Sequence, residues 1–473
     1  ANGGAPPDLG ALDWTDAATW EMIATGGARG VFHIESPAMT SLLVMTGCRD
    51  IDCLTAVESI IRPGAANEGK KRAFARRHQG LEPVSYAHPS LAPLLADTYG
   101  LMAFEEHILL VANGFAGMPW GQADLLRRAL VKNKDRARIE ALGEVFREHA
   151  RALGRTAEET EAVWALLRDF AGYMFNKAHS AAYAVEAFQG AWLKARYPVE
   201  FLAAVLSSRR GFYRPLLYVL EALRHGARLE PPCVHASDPR RFLTQGSSIR
   251  LPLDQVRGLT QAVLDRIAER RPFADLGEFF RQTRPSRAEW LNLLKAGALD
   301  VFGEARGRLF WRLQRLEAAA QRGQGAPAIE CELPADLPAT PEARARWEME
   351  TLGFPVSLHP LAAFAPRVDW NAYTAVAQLE REQQRWYGQT VRVCGLIGGG
   401  RHHTTAQGPM KFLTLADWTG FVEVSLFARV YQNYGHLTVE PAVAVEAEVD
   451  PFDNRRGFTL NAARLMRTRL QQG

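Results

Sequence analysis

Asn176, Lys177, His179, Ser180 and Tyr183 fall together in one short run after Phe175. Their types suit the handling of a phosphorylated ligand. An ammonium and an imidazole can meet phosphate oxygens, and a hydroxyl and a phenol can donate hydrogen bonds. The same residues also suit a polar helix cap, and spacing alone leaves both readings open. Downstream, Val185, Phe188, Trp192 and Leu193 recur at the spacing of an amphipathic helix. Pro198 then marks a break. The chemistry-bearing residues are therefore expected at the start of a helix held by its apolar face.

Further candidates lie on both sides. Asp50 and Asp52 have the close spacing of carboxylates that hold metal ions in two-metal sites. Helix N-termini also favour Asp, and helix initiation is the expected role. Arg62 and the run Lys70, Lys71, Arg72, Arg76, Arg77 suit contacts with phosphate groups. A solvated basic helix face is the other reading of that run. In the order Asp124, Arg127, Arg128, the aspartate and the second arginine stand one helical turn apart. The two arginines cannot turn the same way, so one is expected to pair internally while the other faces a ligand. Adjacent His402 and His403 point apart and lack further ligands, so no metal site is expected there.

Length and composition bound the class. The 473 residues are enough for two to four domains, and 47% hydrophobic with 23% charged residues is normal for a protein with real cores. The net charge of +4 is compatible with a polyanionic partner. No apolar run is long enough to span a membrane, and no signal peptide is read. The five cysteines form no CxxC pair and no zinc spacing. Reduced thiols in a cytoplasmic protein are the expectation. The chain opens on Ala1 rather than Met, which raises the expectation of a fragment or a processed chain.

FNKAHSAAYA (175–184) followed by WLKARYPVEFLAAVLSS (192–208) closely resembles the fingers region of bacterial C-family DNA polymerases. These are the replicative DNA polymerase III alpha subunits and their error-prone relatives. Other stretches carry the same resemblance. GVFHIES (30–36) is similar to the family's GVFQLES, with His33 for Gln, and Arg62-Pro63-Gly64 to its RPG segment. TYGLMAFEEH (98–107) and ADLLRR (123–128) are similar to its TYGV-YQEQV and ADLLRR elements, with Phe104, Glu105 and His107 departing. The resemblance implies template-directed addition of deoxynucleotides to a primer 3′-end. It puts Arg62, Arg127, Arg128 and Lys177 on the triphosphate, with His179, Ser180 and Tyr183 shaping the nucleotide site. The departures lean toward a repair-type relative.

The expected architecture is multidomain: mainly α-helical fingers and a helix-hairpin-helix region, followed by a small all-β OB-fold. Residues 1–12 read as disordered or a cut end, 13–225 as the fingers-like domain, and 226–319 as the helix-hairpin-helix region. Residues 320–388 read as linker and pre-OB segment, and 389–473 as the OB-fold. Val31 to Ile34 reads as a short buried strand, and residues 135–169 as a charged helical spacer. In the hairpin region, turns at Gly258-Leu259-Thr260 and at Gly297 can offer backbone N–H groups to a DNA phosphate. Lys70 and Lys71 are further DNA candidates. In the OB-fold, Arg392, Arg401, Lys411, Arg455 and Arg456 are expected to track a single strand, with Trp418 or Phe458 stacking.

Phosphoryl transfer needs two magnesium ions held by carboxylates. By the resemblance those aspartates belong to a palm domain N-terminal to the fingers, and no such set is read here. Magnesium is thus expected outside this chain, with no catalytic residue and no metal ligand in it. Expected partners are primer-template DNA, single-stranded DNA, deoxynucleoside triphosphates and a palm-bearing N-terminal half in the same or a separate chain. No clear clamp-binding peptide is read in 320–345, which leaves a sliding clamp open. The alternative is a stand-alone, non-catalytic DNA-binding or scaffold chain that assembles with a palm-bearing subunit. A weaker reading is a helical protein with an appended OB module and no DNA role.

Overall fold

A computed structural model describes residues 5–61, 67–132, 135–169, 175–322, 340–363 and 368–468. The described chain is helical as far as Leu352 apart from a small sheet, and ends in a barrel.

The helices begin where local chemistry tells them to. Asp16, Ser36, Asp50, Asn176, Thr260, Asp275 and Ser286 all serve as N-caps, their side-chain oxygens accepting backbone N–H groups of the first turn. Pro198 opens the helix Pro198–Ser208 directly after Lys177–Arg196, because proline fits the first helical position and breaks the one before it. One expectation changes here. Val31 to Ile34 is a turn rather than a strand, with His33 in the left-handed region at φ 66°. Val31 and Ile34 are buried while Phe32 and His33 face outward, an apolar spacing that a turn satisfies as well as a strand.

The N-terminal helices build two cores. One joins Trp20, Ile23, Leu42, Val57 and Phe74 to the buried face of Lys177–Arg196 through Ala184, Ala187 and Phe188. The other joins Phe115, Leu126, Phe146 and Trp164. Residues 135–169 are therefore more than a spacer: the helices Arg136–Ala152 and Ala157–Asp169 supply Phe146 and Trp164 to that second core.

A third core continues from Val199, Leu202 and Tyr218 through Ile249, Leu264, Phe279, Trp290 and Leu309 to Leu352 and Phe354. The helices Pro198–Ser208 and Pro215–Arg224 thus pack with the region that follows them. That region carries the short strands β1 (Arg228–Glu230), β2 (Leu243–Gln245) and β3 (Ser248–Arg250), in the order β1-β3-β2 with β1 parallel to β3.

Five strands close the C-terminal barrel: β4 (Thr390–Thr405), β5 (Gly408–Ala416), β6 (Phe421–Leu426), β7 (Ala442–Pro451) and β8 (Phe458–Arg467). The order is β4-β5-β6-β8-β7, closed by antiparallel β4–β7 pairing, with β6 and β8 parallel. This barrel is consistent with an OB-like fold. Asp417 makes the β5–β6 turn, accepting the N–H groups of Thr419 and Gly420. Val391, Val393, Leu413, Val424, Val445 and Leu460 fill the inside.

A buried ionic cluster links these units. Lys194, fully buried, donates to Glu221 at 2.6 Å and to the carbonyls of Gly27 and Arg29 at 2.7 Å. Arg29 reaches Glu221 at 3.3 Å and lies over the Phe421 ring of β6 at 3.9 Å. Burial raises the Glu221 carboxyl, but Lys194, His225 and Arg29 hold it well below the usual carboxylate range. Cations from the N-terminal helices thus meet one carboxylate of Pro215–Arg224 beneath the barrel wall.

Candidate nucleotide and nucleic-acid interface

The N-terminus of the helix Lys177–Arg196 is braced from two sides. Asn176 accepts the N–H groups of Ala178 and His179 at 3.0 and 3.2 Å. Glu106 accepts the N–H of Lys177 at 3.0 and 3.1 Å. The chain pairs with itself below, where the N–H of Glu105 donates to the carbonyl of Phe175 at 3.0 Å. These N–H groups already have acceptors, so the side chains are what the helix start presents outward.

Lys177 is half exposed, with Nζ 3.6 Å from Asp97 and 5.4 Å from the Phe104 ring centroid. His179 is exposed and meets Tyr183 edge-on at 4.3 Å. Tyr183 lies against the His33 ring at 3.7 Å, and Phe32 stands beside both. The turn 31–34 therefore completes an aromatic group with His179 and Tyr183. Burial, ahead of the neighbouring charges, lowers the His33 pKa.

The arginine pair divides as its spacing requires. Arg127 is locked between Glu105 at 2.9 Å and Asp124 at 2.9 and 3.0 Å. Arg128 is 62% exposed and meets the other oxygen of Asp124, at 2.7 Å. Glu105 also faces Asn176 at 3.4 Å, which connects the arginine pair to the helix start. Phe104, Glu105 and His107, which depart from the family's element, each have a structural role. Phe104 is buried under Lys177, Glu105 holds Arg127, and buried His107 accepts the N–H of Ala103 at 3.1 Å. Burial and then nearby Lys177 push the His107 pKa down to about 4.

Several expected contact residues turn inward. Ser180 is buried and receives a hydrogen bond from Ser59 at 2.7 Å, so it joins two helices beneath the site instead of meeting a ligand. Beside this pair Glu58 is buried with an unpartnered oxygen, and burial followed by Glu186 raises its pKa to about 8. No pattern in the sequence marked it, because a Glu at an interior helix position reads as surface. Lys71 is buried and donates to Ser41 at 2.8 Å, which removes it from the DNA candidates; Lys70 on the same helix is half-buried. Arg62 lies outside the described residues, as do residues 323–339, where a clamp peptide was sought.

In the hairpin region, Gly258 takes φ 80°, and neither its N–H nor that of Leu259 has an acceptor among the described residues. Thr260 is different from expectation: its N–H and hydroxyl both donate to Glu289, at 2.9 and 2.7 Å. Gly297 is a buried helix C-cap at φ 84°, and Arg306 fills the turn by bridging to Asp300 and to the Lys295 carbonyl. It offers no phosphate site.

On the barrel, Arg401 is exposed, while Arg392 is exposed but tied to Glu446 across the β4–β7 pair at 2.8 Å. Lys411 is corrected: it is buried, donates to Thr438 at 2.7 Å, and burial lowers its pKa. Arg455 and Arg456 are exposed at the wall of a cleft with Arg49, Gln383 and Gln384, and their loop is docked on the N-terminal helices. Trp418 stacks on His359 at 4.6 Å with Trp370 against it, and Phe458 packs with the barrel core.

Asp50 caps the helix Ile51–Ile60, accepting the N–H of Cys53 at 2.7 Å, and Asp52 sits exposed in its first turn. Among the described residues no group of three His, Cys, Asp or Glu stands where it could hold a metal. Among them, too, no helix is long and apolar enough to cross a membrane, and Cys48, Cys53, Cys233 and Cys394 are free.

A helix-hairpin-helix region beside a closed five-stranded barrel is an architecture suited to nucleic acid. Comparison with known proteins narrows this. Residues 1–154 match the family model of the bacterial DNA polymerase III alpha subunit finger domain, and residues 226–309 match that of the helix-hairpin-helix motif. The chain is 30% identical to the error-prone DNA polymerase of Symbiobacterium thermophilum, over 96% of this chain and 47% of that protein. It is 33% identical to the DNA polymerase III subunit alpha of Thermus aquaticus, over 96% and 39%. It is 32% identical to that of Saccharopolyspora erythraea, over 94% and 40%. The chain thus spans less than half the length of these relatives. The chain is thus similar both to DNA polymerase III alpha subunits and to an error-prone DNA polymerase.

Proposed function

We propose that this chain is a portion of a DNA-directed DNA polymerase, supplying nucleotide and DNA binding to template-directed primer extension. The observation that carries the reading is the braced start of Lys177–Arg196. It presents Lys177, His179 and Tyr183 outward, and Glu105 ties it to the helix that carries Arg127 and Arg128, while Glu106 and Asp124 complete the frame. Preorganised cations are what a triphosphate requires of a protein that does little covalent chemistry itself.

The ion pairs rank the residues. Lys177 meets Asp97 only loosely, and an exposed pair at 3.6 Å is weak. Arg128 has one carboxylate contact and high exposure. These two exchange partners readily and contact the phosphates; Arg127, held on both sides, positions Arg128 through their shared Asp124. His179, Tyr183 and His33 line the base and sugar side. Duplex DNA lies on the Gly258 turn, and a single strand on the barrel. The magnesium-binding carboxylates come from a palm-bearing portion, in the same or a separate chain.

Primer extension by this chain with magnesium and all four deoxynucleotides, beside binding to the same primer-template, tests the reading. The expected result is binding whose log affinity falls with log salt, without extension. Extension would return the metal site to this chain, and an absence of salt-dependent DNA binding would overturn the proposal.

A further inference from the structure

We infer that Phe212 and Arg401 form a stacking site for one unpaired base of single-stranded DNA, with Arg210 and Arg214 meeting the adjoining phosphates. The inference rests on the polymerase reading above and adds a contact that lies outside the barrel, on the loop 209–214 between two helices.

Phe212 is 48% exposed, yet its backbone is fixed. Its N–H donates to Glu35 at 2.7 Å. Glu35 also accepts the Tyr218 hydroxyl, at 2.8 and 3.0 Å, and that hydroxyl in turn accepts the N–H of Tyr213 at 3.1 Å. A large apolar ring held out in water on a braced loop is already ordered for a flat partner, so little conformational entropy is lost on binding.

The cation beside it is also unclaimed. Arg401 of β4 sits 5.9 Å from the Phe212 ring centroid and 5.4 Å from that of Phe412, its cross-strand neighbour on β5. Among the described residues no carboxylate forms an ion pair with Arg401, Arg210 or Arg214; Arg209 alone in the loop is paired, with Asp254. A guanidinium against aromatic rings favours insertion of a π-face, and base–aromatic stacking tolerates any sequence. Trp418, by contrast, already has His359 stacked on its face at 4.6 Å, whereas Phe212 meets Tyr213 edge-on at 5.0 Å.

The glycine run of β4 makes this meeting possible. A Cβ on Gly398 would collide with the Leu217 side chain, and one on Gly399 would touch the Tyr213 ring at 3.7 Å. Without side chains there, the loop and the helix Pro215–Arg224 seat against β4, which brings Phe212 to Arg401. A ring with one guanidinium 5.9 Å away and two more exposed arginines in the same loop fits a base joined to phosphates better than it fits an acidic peptide, which offers no flat face.

The test uses the full chain and an oligothymidylate carrying one 2-aminopurine, read by anisotropy and by quenching, beside a fully paired DNA hairpin. Phe212→Ala is expected to weaken oligothymidylate binding roughly tenfold and to abolish the quenching. Phe212→Tyr should retain both, and hairpin affinity should not change. Arg401→Ala leaves the loop intact and keeps the test decisive if Phe212→Ala fails to fold; it should lose most of the quenching. Unchanged quenching in Phe212→Ala or Arg401→Ala, while the unaltered chain binds single strands, overturns this inference and leaves the polymerase reading standing. A chain that binds neither DNA overturns both.

Discussion

Asp453 accepts Nε and the terminal NH2 of Arg72, each at 2.8 Å, across 381 residues of sequence. This pairing joins the β7–β8 loop of the barrel to the helix Asn67–His78. Next to it, Asn454 donates to the carbonyls of Val44 and Met45 at 2.9 and 2.7 Å. A loop whose charges read as a track for DNA is therefore first a latch between two units. The latch leaves Arg455 and Arg456 outward, while Arg76 and Arg77 of Asn67–His78 meet Glu82.

The two halves of the latch differ in strength. Arg72 is largely exposed, so Asp453→Ala should cost under about 1 kcal/mol. Asn454→Ala strips hydrogen bonds from two helix-end carbonyls and should cost about 1–2 kcal/mol. Calorimetry checks this: the Asn454 variant should separate barrel melting from helical melting more than the Asp453 variant does. The reverse order would mean that the ion pair is the stronger tie.

Lys177→Ala should weaken deoxynucleotide binding by the complete polymerase by about 1.5–3 kcal/mol, the range for a charged hydrogen bond. Lys177 is exposed, so the melting temperature should hold. Titration of a fluorescent deoxynucleotide measures the loss, and an unchanged affinity removes Lys177 from the triphosphate site.

Glu58 gives the protein an alkaline liability. Its folded pKa of about 8 lies above the ordinary 4.5, so between these values the native state holds a proton that the unfolded chain releases. Stability should fall as pH rises through that window. Glu58→Gln should remove this part of the slope and be more stable than the unaltered chain above pH 8, by a few kcal/mol on the order of the shift. Denaturant melts at pH 5 and pH 9 give the comparison. An equal pH dependence in both proteins would mean that Glu58 is ionised in the fold.

His107 acts in the opposite direction. Its native pKa of about 4 lies below the ordinary 6.5, so the unfolded chain takes up the proton first as pH falls. Its contribution is complete above 6.5 and lost toward 4. Glutamine, the usual residue of the resembling family at this position, offers a carbonyl to the Ala103 N–H and has nothing to titrate. His107→Gln should flatten the acid limb by about 2–3 kcal/mol in melts between pH 4 and 7. A limb as steep as before would assign the acid sensitivity to other groups.

Gly398→Ala should disturb the seat between β4 and the helix Pro215–Arg224, since the added methyl overlaps Leu217. Overpacking of this kind costs about 1–3 kcal/mol. Leu217→Ala in the same chain should recover part of the loss. A double variant no more stable than the single one would show that the close approach lies elsewhere.

The sequence by itself determined what is local. Asn176 was legible as part of a polar helix cap and Pro198 as a break, because a cap needs only a side chain and the next turn. The all-β reading of the C-terminal stretch is met by the barrel strands β4 to β8. Asp124, Arg127 and Arg128 stand one turn apart on a helix, so their division into a locked and an exposed arginine was legible as well. Tertiary structure alone decided which charges face water. Lys71, Lys411 and Ser180 look like surface residues until a neighbour from a distant segment covers them. Thr260 and Gly297 sit in recognisable turns, but Glu289 and Arg306 reach those turns first. The Phe212–Arg401 pair has no local signal at all, because it exists only where a glycine-lined strand lets a helix approach. Periodicity and capping depend on atoms a few residues apart; burial and pairing depend on which surfaces the cores bring together.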